Sequence, residues 1–87
     1  MSNLDIDLIK CLVHEVSSGS RSYSRDALSY CYFEELKKRG GVETTAVSEK
    51  WIDYLWQRIG QVKFEHLASA SRSEDRLAKL LMELIGK

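Results

Sequence analysis

Residues 24–40 read SRDALSYCYFEELKKRG, and the fold class turns on this stretch. Ser24 is an N-cap residue type, and Asp26 follows in the first turn, where a carboxylate complements the positive end of the helix dipole. Leu28, Cys31, Tyr32 and Leu36 recur at helical spacing, with Ala27 and Phe33 widening the stripe. Lys37, Lys38 and Arg39 sit at the negative end, and Gly40 supplies the stop. The spacing predicts a helix over 25–39.

Working outward, the same reasoning predicts three more helices. Over 4–16, Ile9, Leu12, Val13 and Val16 share a face, with Ser2 and Asp5 spaced to cap the start. Ser17–Arg25 (SSGSRSYSR) breaks the pattern and is the one segment of low-complexity character. A helix over 48–70 starts at Ser48 as N-cap, with Val47 and Ile52 spaced as a hydrophobic staple. It carries Trp51, Tyr54, Leu55, Ile59 and Val62, and then Phe64, Leu67 and Ala68. Gly60, costly in a helix interior, kinks or splits it. Over 72–85, Ser71 and Glu74 fit a capping box, and Leu77, Leu80, Leu81, Leu84 and Ile85 form the sharpest stripe. Strand signals are weak, because the extended-looking Val42–Val47 has no partner of the same kind. The expectation is an all-α bundle of about four helices, forming a single domain over residues 1–87.

Composition bounds the chemistry. The 87 residues are 44% apolar and 30% charged, with thirteen Lys+Arg against thirteen Asp+Glu. That fits a globular chain with no global field to recruit nucleic acid or an anionic membrane. No apolar run approaches a membrane span and no secretory leader pattern opens the sequence, so the expected location is cytoplasmic. Cys11 and Cys31, the two cysteines, sit inside apolar helical patterns and read as buried reduced thiols.

An active site needs a nucleophile, a base and a stabiliser within reach. Cys11 and His14 are three residues apart on one helix but lack an oxyanion site. Cys11, His14, Cys31 and His66 match no zinc spacing. The sequence has no phosphate-binding glycine loop and no dinucleotide fingerprint. The expectation is therefore a non-enzyme with no catalytic residues, metal or cofactor.

Three binding patterns remain. GGVETTAVSEKWIDYLWQRIG, residues 40–60, resembles the turn and recognition helix of helix-turn-helix proteins. That resemblance implies base contacts from Thr44, Thr45, Ser48 and Lys50, with Arg58 on phosphate. Glu43, Glu49 and Asp53 oppose it, and residues 42–70 carry three Lys/Arg against four Asp/Glu. Second, two Ser/Arg segments precede helices: Arg21, Ser22, Ser24 and Arg25, and again Ser69, Ser71, Arg72 and Ser73. Hydroxyls and a guanidinium at a helix start hold a phosphate or carboxylate, although capping alone explains the serines. Third, the aromatics crowd residues 30–64 beyond what a narrow stripe buries, so either the bundle covers both sides of the third helix or some of them form a partner or self-association surface, as in a homodimer.

The leading expectation is a small regulator, inhibitor or adaptor that docks stoichiometrically on a larger protein or complex. Its docking face comprises Arg21, Tyr23, Arg25, Tyr30, Lys37, Lys38, Arg39 and Trp56. A bacterial or phage origin is expected from the compact, proline-free chain. DNA binding and a homo-oligomeric structural role are the alternatives.

Overall fold

The computed structural model describes residues 3–40 and 45–86. Among these residues five helices follow one another: α1 (Asn3–Ser17), α2 (Arg25–Lys38), α3 (Thr45–Ile59), α4 (Phe64–Ala70) and α5 (Glu74–Ile85). Among the described residues there is no strand. No helix is long and apolar enough to cross a membrane.

The four longer helices close a ring, with α1 against α2 and α5, α2 against α3, and α3 against α5. Each contributes a stripe to one core: Leu8, Ile9, Leu12 and Val13 from α1, and Leu28, Cys31, Tyr32 and Leu36 from α2. Ile52, Leu55 and Ile59 come from α3, and Leu77, Leu81 and Ile85 from α5. The expected all-α class holds, and the count rises from about four helices to five.

The fifth helix follows from Gly60. A Cβ built there would lie 2.6 Å from the Trp56 carbonyl oxygen and 2.7 Å from its indole ring. Only glycine lets the chain pass this close beneath Trp56, and the Gly60 N–H donates to the Trp56 carbonyl as α3 ends. The helix resumes at Phe64. The predicted 48–70 helix is thus two helices with a turn between them.

Local starts also differ from expectation. α2 begins as predicted, with Ser24 Oγ accepting from the Ala27 N–H at 3.2 Å. α3 instead begins at Thr45, so Ser48 is no cap but an interior residue, and residues 45–47 are helical rather than extended. The reason is helical phase: Ser48 shares the buried face of Ile52, Leu55 and Ile59. Its side chain is 0% exposed and its Oγ has no partner among the described residues. Trp51 and Tyr54, expected on the core face, lie at its margin; Tyr54 is 39% exposed and stacks on Trp51. α5 is capped by Ser73, whose Oγ accepts from the Arg76 N–H, while Ser71 Oγ accepts from the Ser73 N–H. Its buried face takes in Ala78 and Met82, leaving Leu80 and Leu84 half-buried. Ser2, Thr44 and the side chains of Thr45 and Val47 lie outside the described residues.

Polar contacts tie the interfaces at the rim of the core. Asp5 Oδ1 accepts from Trp51 Nε1 at 3.1 Å, linking α1 to α3. His14 Nδ1 meets Glu74 Oε1 at 3.1 Å between α1 and α5. Arg25 spans Glu49 and Asp53 of α3, and Arg39 reaches Asp7 of α1.

Candidate functional site

An open groove of about 870 Å³ lies where the α1–α2 connection faces α4 and the start of α5. One wall is the segment from Gly19 to Tyr23, the other Lys63, Phe64, Glu65 and Ala68, with Ser71 and Arg72 at the end. The first wall is pinned where α1 finishes, because the N–H groups of Ser20 and Arg21 both donate to the Glu15 carbonyl at 3.0 and 3.1 Å.

Tyr23 anchors the floor. Its ring stacks on Phe64 with centroids 5.2 Å apart and leans on Trp56 at 5.1 Å. Its hydroxyl donates to the Ile59 carbonyl at 2.6 Å. Ile59 ends α3, and its carbonyl also accepts from the Val62 N–H at 3.2 Å in the turn, so the Tyr23 bond fastens the connection to the Gly60 break. Burial pushes the Tyr23 hydroxyl pKa well above its ordinary value of 10.

The sign of the resulting pH dependence follows from linkage. Below pH 10 Tyr23 is protonated whether the chain is folded or unfolded, and the hydrogen bond contributes fully. As pH rises past 10 the unfolded chain ionises first, and stability falls. Tyr23→Phe is expected to cost about 1 kcal/mol at pH 7 through the lost bond and to decline less steeply than the parent above pH 10. Urea melts at both pH values check this.

The charge pattern marks the groove. Elsewhere on the described surface four cations are paired within the molecule: Arg25 with Glu49 and Asp53, Lys37 with Glu34 at 3.4 Å, Lys38 with Glu35 at 3.2 Å, and Arg39 with Asp7. Lys10, Lys50, Arg76 and Lys79 are exposed outside the groove without an ion pair among the described residues. In the groove, Arg21, Lys63 and Arg72 have no carboxylate partner among the described residues, and Glu65 is the one acid in the lining. The Arg21 guanidinium lies 3.6 Å over the Tyr30 ring. A cation–π contact of this kind orients the charge without neutralising it. Ser20, Ser22 and Ser71 add hydroxyls to the walls. Among the described residues, no cluster of His, Cys, Asp or Glu could hold a metal ion.

The structure therefore divides the face expected from sequence. Arg21 and Tyr23 meet in the groove, Tyr30 supports Arg21, and Trp56 lies beneath Tyr23. Lys37, Lys38 and Arg39 sit at the far end of α2, roughly 20 Å along its axis. Arg25 is occupied in holding α2 to α3. Of the helix-turn-helix set, Ser48 is fully buried and offers no hydroxyl to a base edge. Lys50 and Arg58 are exposed on α3, with Arg58 5.1 Å over the Tyr54 ring. The two Ser/Arg segments, fifty residues apart in the chain, come together at Arg21–Ser22 and Ser71–Arg72. Sequence reasoning missed Lys63. Its place in the groove depends on the turn after Gly60, which carries it to the base of α4.

No protein-family model matches the chain, and no solved structure matches it. The chain is 31% identical over 78 residues to "rRNA biogenesis protein RRP36" of the eukaryote Pyrenophora tritici-repentis. The match takes in 90% of this chain and 23% of that protein, so the chain spans about a quarter of its relative's length. This similarity overturns the expectation of a regulator or inhibitor of a bacterial or phage machine. The expected origin rested on a compact, proline-free chain, which is a property of folding. The expected role rested on subtraction: no active-site constellation, a neutral charge and surplus aromatics, none of which identifies a task. What the chain resembles is one segment of a eukaryotic protein named for rRNA biogenesis.

Proposed function

We propose that this chain is a non-enzymatic, RNA-contacting helical module of the rRNA-biogenesis machinery, holding phosphate backbone in the groove between Arg21 and Arg72. The observation that carries this reading is the convergence of Arg21, Lys63 and Arg72, none with a carboxylate partner among the described residues, in one groove whose lining holds a single acid, Glu65. The similarity to an rRNA biogenesis protein across 90% of the chain supports the choice of RNA as the anion. With a net charge of zero the module has no long-range pull on nucleic acid. Its contact is local and modest, as suits one segment of a larger assembly. On this reading it works wherever the precursor rRNA is.

Counterion release sets the expected numbers. Three phosphate contacts on a single strand give a slope of about −2 in log K against log salt, or roughly a 20-fold loss of affinity between 50 and 200 mM salt. Fluorescence anisotropy with a labelled single-stranded segment of the host's precursor rRNA measures it. Arg21→Ala and Arg72→Ala each weaken binding and flatten the slope by close to one contact. Lys50→Ala, on α3 and away from the groove, leaves both unchanged. Binding that ignores salt, or that survives loss of both arginines, sinks the reading.

A further inference from the structure

Cys11 on α1 and Cys31 on α2 lie twenty residues apart in the chain, and their Sγ atoms are 2.7 Å apart. Both are free thiols. A disulfide bond is about 2.05 Å long, so the two sulfurs lie within about 1 Å of bonding distance. We propose that Cys11 and Cys31 form a reversible modification site, closed by a small-molecule disulfide such as glutathione disulfide into a bond that fastens α1 to α2. The proposal stands on this contact and does not depend on what fills the groove.

Accessibility sets the order of events. Cys31 is 0% exposed and Cys11 is partly exposed, so the oxidant meets Cys11. The Cys11 thiolate attacks one sulfur of glutathione disulfide, forming a mixed disulfide and releasing one glutathione thiolate, which takes up the proton Cys11 gave. Cys31 then loses its proton and attacks Cys11 Sγ, expelling the second glutathione, which takes up that proton. The two protein thiols lose two electrons between them, and one glutathione disulfide becomes two glutathiones.

Burial pushes both thiols above their ordinary pKa near 9, and Glu15 and Glu35 push Cys11 the same way, while its contact with Cys31 lowers it. Thiolate is scarce at neutral pH, so closure is slow and quickens as pH rises. The pair thus keeps its thiols in a reducing interior and closes under sustained oxidation. The closed loop contains the connection that carries Arg21 and Tyr23. Closing a loop of this length raises the folding equilibrium constant on the order of 100-fold.

The test incubates the folded protein with glutathione disulfide and reads intact mass, free thiols and melting temperature. The expected product is lighter by two hydrogens, has no free thiol, melts higher and reverts with reductant. Cys31→Ala, lacking the second thiol, retains one glutathionyl group at Cys11. Cys11→Ser, at the more exposed position, shows no product lighter by two hydrogens and keeps the proposal testable if the buried substitution unfolds the chain. Two unreacted thiols after prolonged oxidation, a persistent glutathionyl adduct on the parent protein, or closure that lowers the melting temperature would each overturn the proposal.

Discussion

Trp56→Ala lowers the folding free energy by about 3 kcal/mol, at the lower end of aromatic truncations because the indole is only partly buried. The indole covers Gly60 and packs on Tyr23, whose ring in turn stacks on Phe64. Removing it opens a void at the point where α3 stops, the chain turns and the α1–α2 connection is fastened. Urea denaturation gives the loss directly. The groove's cations are not touched by the change, so RNA affinity of the fraction still folded stays within about twofold of the parent. An unchanged midpoint together with lost binding would make Trp56 a contact residue, as its place in the expected docking face implied.

Leu81→Ala has a comparable or larger effect, about 3–4 kcal/mol. Leu81 is 0% exposed on α5, the helix that packs on both α1 and α3 and so closes the ring. A domain of this length has a total stability of roughly 4–13 kcal/mol, so one such cavity removes a large share of it. The melting temperature falls by roughly 15–20 °C. Leu84→Ala provides the contrast, because Leu84 is half-buried and its loss costs about 1 kcal/mol. Similar losses at the two positions would mean that α5 is rotated from the orientation described here.

These two residues show what the sequence could and could not reveal. The α5 stripe was visible because leucines at helical spacing specify a helix and its inward side. They do not fix that side to better than about one position, since 3.6 residues per turn leaves Ala78 and Met82 competing with Leu80 and Leu84. α2 was legible to within a residue because a cap, a first-turn acid and a last-turn basic cluster agree. α3 was misplaced at its start because Ser48 has the chemistry of a cap but the phase of a core residue, and a single hydroxyl cannot declare which applies. The break at Gly60 was visible as a weakness. Its cause, an indole lying against the glycine, is a contact only the folded chain displays.

The groove was half legible for a related reason. Two Ser/Arg segments stood out by composition, yet nothing in a linear chain says that Arg21 and Arg72 share a wall. That depends on α1 packing beside α5 and on Tyr23 holding the connection down. The cluster Lys37–Arg39 looked more basic than either segment, but one of its cations reaches Asp7 across the α1 interface and the others pair within α2. A basic run is a poor guide to a binding site when carboxylates one turn back in the same helix, and one from another helix, already pair with it.

If the Arg21–Arg72 groove holds precursor rRNA, that RNA lies within crosslinking range of the groove's aromatic rings. Ultraviolet crosslinking in the native cells, followed by purification of the tagged protein under denaturing conditions, tests it most directly. Both halves of each adduct are then identified: the RNA by sequencing, the protein site by mass spectrometry. The expected product is precursor rRNA attached to peptides bearing Tyr23 or Phe64, with the signal lost in the Arg21→Ala, Arg72→Ala double variant. Absence of RNA from the crosslinked protein, or crosslinks confined to α3 around Lys50, would contradict it.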